Sequence, residues 1–325
     1  MMGFDFSWVT APFRMQPGLR RVAPGAAQVT ASAPGSRHLR EKMAVLGSAP
    51  HEALCSMAGF DETPVLRTIA AEAARSCPEA FRLAETAAGA IRCEAPLLGW
   101  SIEGDRARGD GDPAIGALLR ELPPRLRLSA LLSLAFAEDF AVLDGATATV
   151  PWLAVCLPSH WAPDDKVGRA FAEVHAPVAD GEVLRAASAS LARLVTGDER
   201  WERFVWTVSA DPRLHQHPSR SGTEWPRVGD GGARAEAEAL AASASLRSER
   251  QTFVPIAGSG SAVFTILVDS VPLADAVTTA DAARRLHDAI ASMSPAVLAY
   301  RRLDVARDRL LGWLAARATG ESALP

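Results

Sequence analysis

Two long segments near residue 250 constrain the fold of this chain most strongly, because each has the length and residue types of a β-strand. They are "ASLRSERQTFVPI" (residues 244–256) and "SAVFTILVDS" (residues 261–270), and only the four residues 257–260, "AGSG", separate them. A short glycine-containing connection between two such segments is typical of a β-hairpin. The sequence therefore predicts an antiparallel sheet that includes this pair.

The other segments place helices before and after the strands. Apolar residues at helical spacing come first, short β-branched segments follow, and helical spacing returns at the carboxyl end. This order favours an α+β fold, in which helices flank an antiparallel sheet, over alternating β and α units. The predicted helices cover residues 64–93 (two helices meeting at Pro78), 113–120, 125–137, 181–195 and 279–317, and further strands cover residues 147–157 and 202–210.

Residues 1–60 differ in composition from the rest of the chain. They are rich in Pro, Gly and Ser and contain one helical segment near "SRHLREKMAVLG". We therefore expect an irregular amino-terminal arm over residues 1–60 and one domain with helical flanks over residues 61–325. The glycine-rich stretch "RVGDGG" (residues 227–232) is predicted to form a flexible loop.

The charge and composition exclude several kinds of partner. With 34 basic and 38 acidic residues the net charge is −4, which gives no general attraction to nucleic acid or anionic lipid. The amino terminus lacks the pattern of a secretion signal, and no apolar stretch approaches the roughly 18 residues of a membrane span. The four cysteines contain no CxxC pair, so neither a zinc site nor a disulfide framework is indicated. We expect a cytoplasmic protein that binds neither nucleic acid nor membrane.

His175 is the candidate ligand for a metal or a heme iron. It stands in "FAEVHAPV", just before Ala176 and Pro177, and proline disfavours helix in the preceding residue. The imidazole is therefore expected at or just past a helix end, where one ring nitrogen can bind iron while a hydrogen-bond acceptor holds the other. A histidine that simply ends a helix is the alternative, and the residue pattern leaves both open.

The other histidines have no set of partner ligands near them in the sequence. His160 stands alone in "PSHW". His215 and His217, in "LHQHP", would share one side of a strand, but a proline-rich loop of this kind usually lies on the surface. No third ligand follows at metal-site spacing, and there is no HExxH pattern. A zinc or non-heme iron site is therefore not predicted.

Two cations are candidates for lining a pocket. If "SERQTF" is a strand, Arg250 shares a face with Ser248 and Thr252, and it either lies on an exposed edge strand or binds a carboxylate through its planar fork. Lys166, in "DDKVGRAF", is either an exposed helix cation or the partner of an anionic ligand. Neither a GxSxG elbow nor an activated cysteine is visible, so no catalytic residue is assigned.

Five segments occur together in an order that resembles one protein family. They are "PFRMQPGL" (12–19), "AEDFAVL" (137–143), "LPSHWAPDDKVGRAFAEVHAPV" (157–178), "RFVWTV" (203–208) and "SERQTFVPIAGSGSAVFTI" (248–266). Their order and approximate spacing resemble the heme-binding α subunit of the heme-dependent oxidative N-demethylases, also described as dimethylamine monooxygenases.

The resemblance implies a PAS-like domain that binds heme b, with an antiparallel sheet flanked by helices. His175 stands where the family has the histidine of its "IHxPVP" motif, and would be the axial ligand of the iron, with the opposite face left open for O2. Lys166 and Arg250 become candidates for contacts with the heme propionates or for pocket charge. Trp161 and Trp206 become candidates for packing around the macrocycle.

The same resemblance implies a monooxygenase that oxidises a small amine-containing molecule, with oxidative N-demethylation as the expected reaction. Its electrons would come from a separate reductase, because this chain has neither a flavin fingerprint nor a cysteine set for an iron–sulfur cluster. The alternative is a PAS-type heme or small-ligand sensor without turnover. Residues 279–325 are too short for a recognisable output domain, which favours the enzyme.

The chain departs from the family pattern where charge or polarity would be expected. Val205 replaces the asparagine of the family's RxNW motif, and Val254 and Pro255 replace two basic residues that usually follow ERQTL. Ala179 replaces the last proline of "PVP". Less polarity near the pocket argues against dimethylamine, a small cationic amine, and leaves a larger or less polar amine open as substrate.

Overall fold

An antiparallel sheet of seven strands lies at the centre of the fold. The structure is a computed structural model that describes residues 4–85, 91–220, 222, 224–227 and 232–320. In these residues the main sheet has the order β1-β9-β10-β11-β7-β8-β2, and a smaller sheet has the order β3-β4-β5-β6. The strands are β1 (Arg20–Arg21), β2 (Leu54–Ser56), β3 (Arg82–Glu85), β4 (Ile91–Ala95), β5 (Trp100–Glu103), β6 (Arg106–Gly109), β7 (Asp139–Asp144), β8 (Trp152–Ala154), β9 (Trp201–Ser209), β10 (Ser245–Ile256) and β11 (Ser261–Pro272).

Helices precede the main strands, connect β8 to β9 and close the chain, as the α+β prediction requires. The predicted helices at 113–120 and 125–137 are confirmed, whereas residues 181–195 form two short helices instead of one. Residues 279–317, predicted as two helices divided at Pro295, form three, because the second is interrupted after Tyr300. The helices are α1 (Arg37–Ser48), α2 (Pro50–Ala53), α3 (Thr63–Ser76), α4 (Pro113–Glu121), α5 (Arg127–Ala135), α6 (Phe171–Val174), α7 (Glu182–Ala186), α8 (Ser188–Val195), α9 (Gly232–Ser243), α10 (Leu273–Ala276), α11 (Ala280–Ala291), α12 (Pro295–Tyr300) and α13 (Arg307–Thr319).

No helix in the described part of the chain combines the length and apolar character needed to cross a membrane. Most of the predicted flexible loop at 227–232 falls on residues 228–231, which lie outside the described residues.

The predicted hairpin is confirmed as β10 and β11, which pair antiparallel over their whole length. Its turn contains Gly258 and Gly260, whose φ angles of +72° and +67° are accessible to glycine at little cost. Phe253 and Phe264 face each other across the two strands, with ring centroids 4.9 Å apart. This long hairpin supplies the central strands of the main sheet.

Residues 1–60, expected as an irregular arm, supply strands to both edges of the main sheet. β1 pairs with β9, and β2 pairs with β8 at the opposite edge. α1 begins after Ser36, whose side chain accepts a hydrogen bond from the Leu39 amide, and it buries Leu39, Val45 and Leu46 in the largest hydrophobic cluster. The described part of this segment is therefore integrated into the fold.

The smaller sheet was not predicted from the sequence. Residues 64–93 were expected to form two helices meeting at Pro78; α3 confirms the first, but the second is wrong, because residues 82–85 and 91–95 are strands. Cys93, Trp100 and Ile102 are buried in the main hydrophobic cluster. Trp100 packs against Gly116 of α4, where an added Cβ would lie 2.1 Å from the ring. Burial of alternate side chains thus outweighs the helix preference of the alanine-rich segment.

A buried ion pair joins α1 to β7 and to the segment that follows β8. Lys42 Nζ lies 3.1 Å from Asp139 Oδ1, and both side chains are almost completely inaccessible to solvent. The Lys42 ammonium also donates to the carbonyl oxygens of Phe136 and Glu138. Asp139 Oδ2 accepts a hydrogen bond of 2.6 Å from the backbone N–H of Leu157. Asp139 therefore fixes the start of the chain segment that continues to His175.

Replacing Lys42 by Met should destabilise the protein by about 3–5 kcal/mol, because the buried Asp139 carboxylate loses its counter-charge. Urea unfolding followed by circular dichroism measures this change. The double variant Lys42→Met/Asp139→Asn should recover much of the loss, since the amide oxygen still accepts from Leu157. As a control, Arg67→Met removes an exposed ion pair with Glu85 and should cost less than about 1 kcal/mol. Equal losses in both single variants would contradict this account.

Candidate functional site

His175 lies where the sequence predicts it, at the end of a short helix in the connection between β8 and β9. It is the residue that follows α6, with φ −96° and ψ 5°. The entry to α6 is hydrogen-bonded to the β7–β8 connection, because Phe171 N–H donates to Ala148 O (2.6 Å) and Val150 N–H donates to Arg169 O (3.0 Å). A four-residue helix is too short to be stable alone, so these backbone contacts hold His175 in position.

The imidazole of His175 is oriented by a single residue. Its Nδ1 lies 2.8 Å from the backbone carbonyl oxygen of Phe171, and its ring lies against the Phe171 ring with centroids 4.0 Å apart and a tilt of 35° between the planes. A carbonyl oxygen can only accept, so Nδ1 carries the proton and Nε2 carries the free lone pair in the neutral ring. This is the tautomer in which Nε2 can bind a metal while Nδ1 is held by an acceptor.

The surroundings of His175 keep the ring neutral. Burial, together with the positive charges of Arg203 and Lys166, lowers the pKa of His175 from 6.5 to about 4. The hydrogen bond to Phe171 acts in the opposite direction but does not outweigh them. At pH 7 the ring is therefore a neutral base with an available nitrogen.

α6 lies against one face of the main sheet. Phe171 packs in a cluster with Trp201, Phe253 and Phe264. Side chains alternate across a strand and cross-strand partners share a face, so Arg203, two residues after Trp201, points to the same side. We call this side of the sheet the His175 face. Two cross-strand pairs lie on this face, Arg203 with Gln251 and Val205 with Glu249. All four residues are half-buried.

Two cations near His175 form no direct ion pair. Within the described residues, Arg203 and Lys166 make no hydrogen bond or ion pair through their side chains, although the Nε atom of Arg203 is buried. Burial lowers the pKa of both groups. Burying a charge without a partner is costly, so these side chains are poorly satisfied in the protein alone.

The acidic group on the same face is already engaged. Glu249 accepts hydrogen bonds from the hydroxyl of Ser159 and from the side-chain amide of Gln251. Ser159 is in turn held by Arg247, whose buried guanidinium also donates to the backbone carbonyls of Arg213 and Leu214. Arg247 therefore has the full set of partners that Arg203 lacks.

The structure brings some of the sequence-predicted site residues together and separates others. Trp161 packs against the same small cluster as Phe264, so it lies near the His175 face, as does Lys166. Trp206 points to the opposite face, where it joins the cluster built by the carboxyl-terminal helices. Arg250 also points to that opposite face.

The contacts of Arg250 are made within the fold. Its Nε and a terminal nitrogen each lie 2.9 Å from the Glu202 carboxylate, and it donates to the carbonyl oxygen of Ala27. Of the three departures from the family pattern in β9 and β10, Val205 and Pro255 lie on the His175 face, whereas Val254 is buried in the main core.

The remaining histidine candidates lie in other surroundings. His160 has a positive φ of +61°, and burial is the main reason that its pKa falls to about 4, while Arg302 and Arg247 lower it further. His215 contacts the carbonyl oxygen of Cys156 through Nδ1, and His217 contacts the hydroxyl of Ser219. No group of three or more His, Cys, Asp or Glu side chains suited to a metal ion occurs among the described residues. A heme iron needs only one or two protein ligands, since the porphyrin supplies four nitrogens.

Arg203 and Arg301 were not among the site residues predicted from the sequence. Arg203 has a local signal, because it stands in "RFVW" at the strand position that shares a face with Glu249 and Gln251. Arg301 has no such local signal in the sequence. It follows α12 near the carboxyl end and reaches the edge of β9 only in the folded chain. There its Nη1 donates to the backbone carbonyl of Trp206.

Comparison with known protein families places the chain in one of them. Residues 65–311 match the family described as "Haem-dependent oxidative N-demethylase, alpha subunit-like". The match covers well over half of the 325 residues, so the chain belongs to this family, which confirms the resemblance read from the sequence. A search of curated proteins finds no match to the chain.

The His175 ring should titrate near pH 4 and carry its proton on Nδ1 at pH 7. Nitrogen-15 NMR of the histidine rings measures both the tautomer and the midpoint. Arg203→Gln should raise the midpoint, because a nearby positive charge is removed, whereas Arg250→Gln on the opposite face should leave it unchanged.

The same titration has a consequence for stability. Because the folded-state pKa lies below the unfolded value of 6.5, the unfolded chain binds more protons between pH 6.5 and pH 4, and stability falls as the pH decreases through that range. A ring that titrates near 6.5 in the folded protein would contradict the described environment.

Proposed function

We propose that this protein is a heme-dependent monooxygenase that removes a methyl group oxidatively from an amine-containing small molecule. The observation that carries the proposal is the neutral His175 ring, which presents Nε2 beside the sheet while Phe171 holds Nδ1. The family supports the same conclusion, because its description names a haem-dependent oxidative N-demethylase. That description is of an enzyme, so it favours turnover over the alternative of a PAS-type sensor.

The order of the central strands supports a PAS-like heme domain. Numbered along the chain, β7, β8, β9, β10 and β11 occur in the sheet as 2-1-5-4-3, the strand order that PAS-like domains have. The helices α6 to α8 connect the second of these strands to the third. His175 belongs to that helical connection, which packs against the sheet through Phe171.

The residues on the His175 face fit heme b. The Nε2 atom of His175 would hold the iron, Trp161 would pack beside the macrocycle, and Lys166 would meet a propionate. When bound, heme supplies an iron at which O2 can be reduced. The protein contributes the ring orientation through Phe171, the hydrophobic surroundings through Phe264 and its neighbours, and the positive charge that an anionic cofactor requires.

The reaction needs O2 and two electrons from outside the chain. An N-methyl amine, O2, two electrons and two protons give the demethylated amine, formaldehyde and water. A separate electron-transfer reductase would supply the electrons, since the sequence offers no flavin or iron–sulfur pattern. Val205 makes part of the His175 face apolar, which favours a larger or less polar amine than dimethylamine.

Reconstitution with hemin tests the cofactor. The purified chain should acquire a Soret band on addition of one equivalent of hemin, and His175→Ala should lose that band or shift it. His160→Ala is a matched control, because His160 is also half-buried and has a pKa lowered to about 4. The proposal fails if the wild-type chain binds no hemin, or if His160→Ala changes the spectrum while His175→Ala does not.

Formaldehyde release tests the reaction and the substrate. With a surrogate reductase and O2, the heme-loaded protein should release formaldehyde from N,N-dimethylbenzylamine faster than from dimethylamine. Val205→Asn restores the family's polar residue and should shift the ratio of kcat/KM values toward dimethylamine by about tenfold. Heme binding without formaldehyde from any methylated amine would favour the sensor.

A further inference from the structure

A cavity lies on the side of the main sheet opposite the His175 face. Its volume is about 270 Å³, and it lies between the edge strand β2, the neighbouring β8 and the start of α5, with Trp152 in its wall. Leu153, the next residue, pairs with Ala141, which in turn pairs with Phe264. Phe264 lies on the His175 face, so Trp152 and the cavity lie on the other side. The cavity is therefore separate from the site proposed for heme.

Two opposite charges line this cavity without pairing with each other. Glu62 is half-buried, and its Oε2 accepts a hydrogen bond of 2.7 Å from Trp152 Nε1, which fixes the carboxylate on the wall. Within the described residues, its Oε1 has no partner, and Arg125 forms no hydrogen bond or ion pair through its side chain. Arg127, two residues later, instead donates to three backbone carbonyl oxygens. The cavity thus offers one free carboxylate oxygen and one free guanidinium.

The wall of the cavity also contains a hydroxyl group that the described chain does not use. Ser129 of α5 lines the cavity and is 2% exposed, yet its Oγ has no hydrogen-bond partner among the described residues. Ser133, one turn later and equally buried, donates to the carbonyl oxygen of Ser129 over 2.9 Å. A buried hydroxyl without such a partner is costly, so Ser129 adds an unused polar group to the two charges.

We propose that this cavity binds a free α-amino acid with an apolar side chain. Its ammonium would donate to Glu62 Oε1, its carboxylate would meet the planar fork of Arg125, and its side chain would contact Leu54, Leu126 and Trp152. The volume corresponds to roughly nine water molecules at about 30 Å³ each, which is the room that an amino acid about the size of leucine needs. The inference does not depend on the proposed function, because the cavity lies across the sheet from His175.

Calorimetric titration of the full-length chain with L-leucine tests this proposal, with two analogues that each lack one charge. 4-Methylpentanoate lacks the ammonium and should bind about tenfold more weakly than leucine, because it loses a hydrogen bond to a half-buried carboxylate. Leucinamide lacks the carboxylate and should bind about fivefold more weakly, because Arg125 is exposed and solvent screens the lost ion pair. The analogue series needs only the wild-type chain, so it decides the proposal even if a variant fails to fold.

Charge-removing variants assign the two contacts to residues. Glu62→Gln keeps an acceptor for Trp152 Nε1 and should weaken leucine about tenfold without weakening 4-methylpentanoate. Arg125→Gln should reduce the affinity for leucine to that for leucinamide. Arg120→Gln is the matched control, because Arg120 is also an exposed arginine but lies over the Trp100 ring; it should bind leucine as the wild type does. The proposal is overturned if L-alanine, L-leucine and L-phenylalanine all fail to bind, or if neither variant at the cavity changes the affinity for leucine.

The stability of the ligand-free protein provides an independent measurement. Ser129→Ala should leave the melting temperature unchanged or raise it, because the cost of burying an unpartnered hydroxyl disappears. Ser133→Ala should lower the melting temperature, since its hydrogen bond to Ser129 is lost. Saturating leucine should raise the melting temperature of Ser133→Ala as much as that of the wild type, and that of Ser129→Ala by less. If Ser129→Ala is destabilised as much as Ser133→Ala, its hydroxyl has a structural task, and its assignment to the binding site is contradicted.

Discussion

The buried carboxylate of Asp139 is the constraint on which the arrangement around His175 depends. One oxygen faces the ammonium of Lys42 from α1, and the other accepts the backbone N–H of Leu157. A carboxylate in the interior requires such partners, so the core of the sheet and the segment leading to Ser159 and Trp161 are fixed relative to each other. A second device, the Arg247 guanidinium, ties the same segment to residues 213–214. His175 is therefore presented by a connection that is anchored at several points of the core.

Local patterns were sufficient to predict the elements whose signals lie within one segment. The hairpin of β10 and β11, the helices at 113–120 and 125–137 and the position of His175 at a helix end all follow from periodicity and from proline. The small sheet does not, because an alanine-rich sequence carries little strand signal and its strands form only when Trp100 and Cys93 are buried against α4 and α5. The amino-terminal strands β1 and β2 could not be predicted either, since two or three residues are too few to show an alternation of apolar and polar side chains.

The site could be predicted in part, because some of its residues lie within one segment of the sequence. His175 and Lys166 stand in one continuous segment, and family resemblance draws attention to it. Arg250 and Trp206 lie on the face of the sheet opposite His175, and the sequence pattern alone does not define which face a strand residue occupies. Arg203 and Trp206, for example, are only three residues apart but lie on opposite sides of β9. Arg301 comes from a different part of the chain, so only the folded structure brings it close to Arg203.

Arg203 and Lys166, which act on His175 and form no ion pair, link the amount of folded protein to the supply of its ligand. Like charges held together on one face oppose folding when no anion is present. A molecule that binds only the folded chain stabilises it by RT ln(1 + [L]/Kd), and with heme as that molecule, heme-poor conditions leave a larger unfolded fraction for proteases to remove. The folded fraction would then rise with the concentration of that ligand.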